Sequence, residues 1–160
     1  MAKVILICGK IASGKTEYAK KLVKEKPAVL LSCDEIKVAL FGTDIGNNHK
    51  MLKETTQKYL FQKAVEIVSS GINVVLDWGF RTAANRKAAS DFFKSCGIEY
   101  EWHYLNTSSE VLKRNLHKRN QAIKDCEAEF YYFDDAVADK FWDMFEEPSQ
   151  SEIDVWVRKV

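Results

Sequence analysis

The chain has 160 residues, 46% of them hydrophobic and 12% aromatic, with only seven Gly and two Pro. This excludes a disordered or fibrous protein and fits one domain able to bury roughly two-thirds of the surface its unfolded form exposes. A net charge of +1 gives no electrostatic reason to expect nucleic acid or membrane as a partner. The four cysteines (Cys8, Cys33, Cys96, Cys126) lie far apart with no C-x-x-C pair, which argues against a zinc site or a disulfide framework. The apolar run at residues 4–8 is too short for a signal peptide or a membrane span, so a cytoplasmic protein is expected.

In chain order, Val4-Ile5-Leu6-Ile7 is a short β-branched run ending near Gly9, the pattern of a strand buried on both faces of a parallel sheet. Further strands are expected at 28–31, 72–76, 98–105 and 153–157. Between them lie segments of helical length and composition at 15–26, 33–41, 49–70, 81–96, 108–120 and 134–146. The third, HKMLKETTQKYLFQKAVEIVSSG, spaces Leu52, Tyr59, Leu60, Ala64, Ile67 and Val68 mostly three or four apart and stops at Gly71. Strands alternating with helices predict an α/β fold, a parallel sheet with helices on both faces. Charge is uneven along it: residues 121–154 carry eleven acidic side chains against Lys124 and Lys140. Anion-binding equipment is therefore expected in the first three-quarters.

Gly9-Lys10-Ile11-Ala12-Ser13-Gly14-Lys15-Thr16 matches G-x-x-x-x-G-K-[ST], placed after a strand and before a helix. The glycines let the backbone curl so that N–H groups meet phosphate oxygens, and the helix adds its positive end. Lys15 is expected on the β- and γ-phosphates and the Thr16 hydroxyl on Mg²⁺. Asp77 closes an apolar strand at the edge where such sheets bind ligands, as a Walker B carboxylate for the same ion.

A P-loop leaves the reaction open, so the acceptor side decides. In LLSCDEIK, Ser32 and Glu35 have the spacing of a capping box, which leaves Asp34 over. Asp34 either serves the helix dipole or accepts the proton of an attacking hydroxyl. Lys37, Trp78, Phe80 and Arg86 are the accompanying candidates for acceptor binding, the aromatics as walls of a pocket or as plain core. Arg81 reads as an anion ligand or a surface residue. Thr107-Ser108-Ser109-Glu110 reads as a second capping box. It opens a helix whose Arg119 is a candidate for neutralising charge on the transferring group, with a lid around 114–135.

With these residues in place the chain resembles the small P-loop kinases grouped around zeta toxin, the kinase domain of polynucleotide kinase and chloramphenicol phosphotransferase, and more closely the AAA-type ATP-binding proteins of that group. The likeness rests on GKIASGKT, Ser32-x-Asp34, DWGF followed by Arg86, Arg119-Asn120, and Phe145-Glu146-x-Pro148 with Glu152. It implies a three-layer P-loop NTPase fold with a five-stranded parallel sheet in the order 2-3-1-4-5. It also implies ATP with Mg²⁺, a hydroxyl activated by Asp34, and Arg119 as a lid arginine. Such proteins often carry another lid arginine four residues earlier, where this chain has Asn115; Arg114 is adjacent but about 100° away around a helix.

The expected function is transfer of the γ-phosphate of ATP to a hydroxyl of a small molecule. The alternatives are a polynucleotide 5′-hydroxyl acceptor, for which the charge balance offers little, and a regulatory module that binds and slowly hydrolyses ATP.

Overall fold

The computed structural model describes all 160 residues. Five strands, β1 (Val4–Gly9), β2 (Ala28–Ser32), β3 (Asn73–Asp77), β4 (Tyr100–Thr107) and β5 (Val155–Lys159), form one sheet in the order β2-β3-β1-β4-β5. Every neighbouring pair is parallel. Six helices connect and cover it: α1 (Lys15–Glu25), α2 (Cys33–Phe41), α3 (His49–Ser69), α4 (Ala83–Ser95), α5 (Ser109–Lys124) and α6 (Asp135–Asp143). The sheet and its order are those expected. No helix is long and apolar enough to cross a membrane.

Strand β1 is buried along its whole length, and its side chains alternate between two cores as the two-residue strand period requires. Val4, Leu6 and Cys8 pack with Leu60, Ala64 and Val68 of α3, Ala89 and Phe93 of α4, and Trp102 and Tyr104 of β4. Ile5 and Ile7 face the other way, onto Ala19 of α1, with Val75 and Leu105 beside them. A third cluster joins Leu112 and Leu116 of α5 to Ala138 and Trp142 of α6, with Ala12 of the loop after β1 packed against it. The P-loop is thus held between the sheet and the α5–α6 pair.

Several boundaries differ from those expected. Helix α4 starts at Ala83 because Thr82 caps it, accepting the Asn85 N–H at 3.1 Å. Helix α5 runs on to Lys124, beyond the expected end at 120. The segment expected to be helical over 134–146 stops at Asp143. The last strand begins at Val155, because Ser149 and Glu152 form a capping box around a 3₁₀ turn and Ile153 drops into the core behind it. Asp154 then accepts the Trp102 N–H at 2.7 Å, which fixes where β5 joins β4.

The register sets the site. Asp77 lies opposite Ile7 of β1 and Ser32 of β2, so the loop after β1, the end of β3 and the start of α2 share the carboxyl edge of the sheet. That is the edge where open α/β sheets take their ligands.

Candidate active site

The P-loop is braced from outside. The Trp142 Nε1–H donates to the Ile11 carbonyl at 2.9 Å, Asn115 Nδ2 to the Ala12 carbonyl at 2.9 Å, and the Thr107 hydroxyl to the Ser13 carbonyl at 2.9 Å. Across a trans peptide the carbonyl and the next N–H point in opposite directions. Tying back the carbonyls of Ile11 and Ser13 therefore turns the N–H groups of Ala12 and Gly14 inward, and neither has a partner within the protein. Helix α1 follows with no side-chain cap on its first turn, which leaves its N–H groups available to an anion.

Two glycines have specific reasons to be there. A Cβ on Gly9 would come within 2.8 Å of Ser13 Oγ and 3.2 Å of the Leu105 carbonyl, and Gly14 sits at φ 93°, a region that side chains disfavour. A Cβ on Gly14 would also meet Lys159 Nζ at 2.6 Å; Lys159 at the end of β5 therefore lies over the loop, a cation the sequence did not single out.

Lys15 folds back and donates from Nζ to the Gly9 and Lys10 carbonyls at 3.1 and 2.7 Å. Burial lowers its pKa, opposed by the charges of Asp77 and then Asp34, with Arg119 adding to the lowering. Lys15 is therefore within electrostatic reach of the other three.

The exposed Thr16 hydroxyl donates to Asp77 Oδ2 at 2.9 Å. Asp77 is 5% exposed, and burial raises its pKa against the pull of Lys15 and the Thr16 hydrogen bond. No cluster of three or more His, Cys, Asp or Glu gathers to hold a metal. One hydroxyl and one carboxylate suit Mg²⁺, which keeps waters and takes its other ligands from phosphate.

On the acceptor side Ser32 caps α2, accepting the Glu35 N–H at 3.4 Å. Asp34 is left free of the cap, as its spacing predicted. Its side chain is 47% exposed and pairs with Lys37 at 3.0 Å. Lys37 is 4% exposed; burial works against its charge, but the Asp34 carboxylate outweighs it and the pKa is raised.

The Lys37 ammonium also lies over the Tyr131 ring, 5.3 Å from its centre, and His49 meets the same ring edge-on. The segment between α5 and α6 therefore crosses above Asp34. Arg119 belongs to this cover: its guanidinium stacks 4.1 Å from the Phe130 centroid and donates to the Tyr131 carbonyl at 3.2 Å. Burial lowers its pKa, opposed by Asp34.

Three candidates are instead enclosed within the fold. Trp78 and Phe80 are 4% and 5% exposed and belong to the core. Trp78 packs on Phe61 and Phe80, and Phe80 packs on Trp102, so they wall no open pocket. Arg86 is 2% exposed. It donates from Nη1 to the Phe80 and Glu146 carbonyls at 3.1 and 2.9 Å and pairs through Nε with Glu152 at 3.2 Å. It is a structural clasp instead of an acceptor ligand.

Two further expectations shift. Thr107 is no helix cap: Ser108 caps α5, accepting the Val111 N–H, and Thr107 braces the P-loop. Arg114 is exposed, while Asn115, where an arginine was looked for, braces the same loop. The braces Trp142 and Asn115 carried no sequence signal as loop partners, since they lie 131 and 103 residues from the carbonyls they hold. Asn115→Ala should free the Ala12 peptide at a cost of about 1 kcal/mol, seen as roughly fivefold weaker binding of AMPPNP by calorimetry. Unchanged affinity would show that the loop does not need this brace.

The AAA domain family matches residues 4–148. The chain belongs to the AAA domain family. Solved structures extend the likeness of this AAA domain over nearly its whole length. A kinase candidate from Chloroflexus aurantiacus has a TM-score of 0.75 at 18% identity, covering 99% of this chain and 87% of that one. The APS kinase of Mycobacterium tuberculosis, solved with AMPPNP and APS, gives 0.67 at 19%, covering 98% and 88%. A gluconokinase from Sinorhizobium meliloti gives 0.67 at 14%, covering 98% and 82%. At such identities the likeness is one of fold. No curated protein matches significantly in sequence.

Proposed function

We propose that this AAA domain is an ATP-dependent kinase that transfers the γ-phosphate to a hydroxyl of a small-molecule acceptor. One observation carries the reading: the carboxylate of Asp34, unused by the helix cap and paired with Lys37, stands at the same sheet edge as the P-loop, within electrostatic reach of Lys15 and Arg119. A hydrolysing switch needs no carboxylate placed there on an independent helix. The neighbours described as APS kinase and gluconokinase support the same reaction class.

In this reading the inward N–H groups of Ala12 and Gly14 and the first turn of α1 cradle the phosphates. Lys15 leaves the Gly9 and Lys10 carbonyls for the phosphate oxygens. Thr16 and Asp77 would hold Mg²⁺, which would supply neutralisation of phosphate charge. Asp34 accepts the acceptor's hydroxyl proton as its oxygen bonds to the γ-phosphorus; the bond from that phosphorus to the bridging oxygen breaks, and ADP departs. Arg119 faces the charge spread over the transferring group. Residues 125–134 act as the lid, excluding water that would otherwise compete with the acceptor.

The test is phosphate transfer from labelled ATP, with Mg²⁺, to a panel of sugars, sugar acids, nucleosides and an oligonucleotide. Transfer to a small hydroxyl compound is expected. ATP turnover that no compound stimulates would favour a regulatory module, and transfer only to the oligonucleotide would move the acceptor class.

Asp77→Asn separates the metal role from the structural one by two readouts of opposite sign. Because burial raises the folded pKa of Asp77 above its ordinary value, the folded chain keeps a proton that the unfolded chain has released between those two values. Stability is thus lost as pH rises across that window. Asparagine removes the cost, so metal-free protein should melt a few degrees higher at neutral pH, by about 2–4 °C per kcal/mol recovered. Mg²⁺-dependent transfer should fall by about 100-fold or more. A variant with both properties unchanged would remove Asp77 from the metal site.

A further inference from the structure

Lys159 ends β5, outside the residues 4–148 that the AAA domain family matches, and nothing in the P-loop motif calls for it. Its backbone is fixed: the carbonyl accepts the Ser108 N–H at 2.8 Å, and the residue stands opposite Thr107 in the β4–β5 register. Thr107 in turn holds the Ser13 carbonyl at 2.9 Å, so the two strand ends and the loop form one frame. From that frame the half-buried Lys159 runs its side chain over Gly14. A Cβ on Gly14 would lie 2.6 Å from Nζ, 3.7 Å from Cε and 3.9 Å from Cδ, so the ammonium occupies the space that a side chain there would need.

By itself this is an unfavourable seat for a cation. Lys159 forms no ion pair, and the lysine ammoniums that donate hydrogen bonds are those of Lys3, Lys15, Lys63 and Lys87. Gly14 opens α1, whose positive end disfavours cations. The backbone groups left without partners there are donors too: the N–H groups of Ala12 and Gly14, and those of Lys15, Thr16 and Glu17 in the first helical turn. Donors and a cation gathered at one helix start share one remedy, an anion that accepts from them.

Sheet order says which anion. Asp34 follows β2 at one edge of the sheet, Lys159 ends β5 at the other, and the P-loop after β1 lies between them. On the kinase reading, on which this step rests, a donor whose γ-phosphate faces Asp34 runs along the P-loop toward β4 and β5. Its α-phosphate then arrives beside Lys159. We infer that Lys159 binds the α-phosphate of the nucleotide, while Lys15 serves the β- and γ-phosphates. An ammonium with three freely turning donors suits a single tetrahedral phosphate. The α-phosphate stays on the nucleotide when the γ-phosphorus is transferred, so the contact strengthens ATP and ADP binding alike and leaves the chemical step alone.

The experiment measures the affinity of the natural protein, Lys159→Met and Lys159→Arg for AMPPNP and ADP by calorimetry with Mg²⁺, and records the phosphorus NMR spectrum of bound ADP. Methionine keeps most of the stem and removes the charge. Lys159→Met should weaken both nucleotides by about tenfold, and Lys159→Arg should recover most of the loss. The α-phosphorus resonance of bound ADP should move on Lys159→Met, and the melting temperature without nucleotide should not fall, since the side chain gives up no partner. Unchanged affinity in Lys159→Met, a loss for AMPPNP alone, or a resonance change confined to the β-phosphorus overturns the assignment. With Mg-ATP and an acceptor that is turned over, KM for ATP should rise by about tenfold in Lys159→Met while kcat stays within about twofold. Nucleotide binding that depends on Lys159 in a protein that phosphorylates nothing sinks the kinase and leaves this contact standing. Transfer whose KM for ATP ignores Lys159 leaves the kinase and overturns the contact.

Discussion

Asp34→Asn should lower phosphoryl transfer by about 10²- to 10⁴-fold, the span typical of a lost general base, while AMPPNP binds as before. The substitution is nearly isosteric, and the first turn of α2 does not depend on it because Ser32 supplies the cap. Its structural cost falls on Lys37, which is 4% exposed and has Asp34 as its ion-pair partner. Removing one partner of such a pair leaves a charge poorly solvated, so the melting temperature should fall by a few degrees. Asp34→Asn with Lys37→Met removes both ends and should restore the melting temperature but not transfer. That double variant separates loss of fold from loss of chemistry. If Asp34→Asn transferred phosphate at the rate of the natural protein, Asp34 would be an ion-pair partner and nothing more.

The parts of the site legible in the sequence are those that chemistry confines to a few consecutive residues. The P-loop needs its two glycines, lysine and threonine within one turn of chain, and Asp77 needs only to end an apolar strand. Asp34 emerged by subtraction, since Ser32 and Glu35 already met the spacing of a helix cap. The braces of the loop are a different matter. Trp142, Asn115 and Thr107 reach the P-loop from three elements far along the chain, and their residue types fit equally well a core aromatic, a solvated amide and a helix cap. Trp78 and Phe80 lie on the other side of the same ambiguity: an aromatic after a strand can wall a pocket or fill a core, and here α3 and α4 cover both rings.

Arg86→Met should cost about 3–5 kcal/mol of stability and lower the melting temperature by roughly 10 °C. Methionine fills much of the volume but leaves Glu152 and the carbonyls of Phe80 and Glu146 without their donors. The Phe80 carbonyl matters most, because Phe80 has φ 43°, a strained conformation for an aromatic residue that surrounding structure must hold. Releasing it would let the turn carrying Arg81 relax, and would loosen the Glu146 carboxylate that caps α4 through the Ala83 N–H. The DWGF turn, Arg86, Glu146 and Glu152 thus act as one clasp that ties the β3–α4 turn to the chain before β5. Glu152→Gln alone should cost less, because an amide oxygen can still accept from Arg86 Nε. Added to Arg86→Met it should cost little more, since the two substitutions break the same contact. The acceptor-binding role expected from sequence makes the contrary prediction: an Arg86→Met protein with its melting temperature intact and a raised KM for acceptor would show that the guanidinium leaves its clasp to meet substrate.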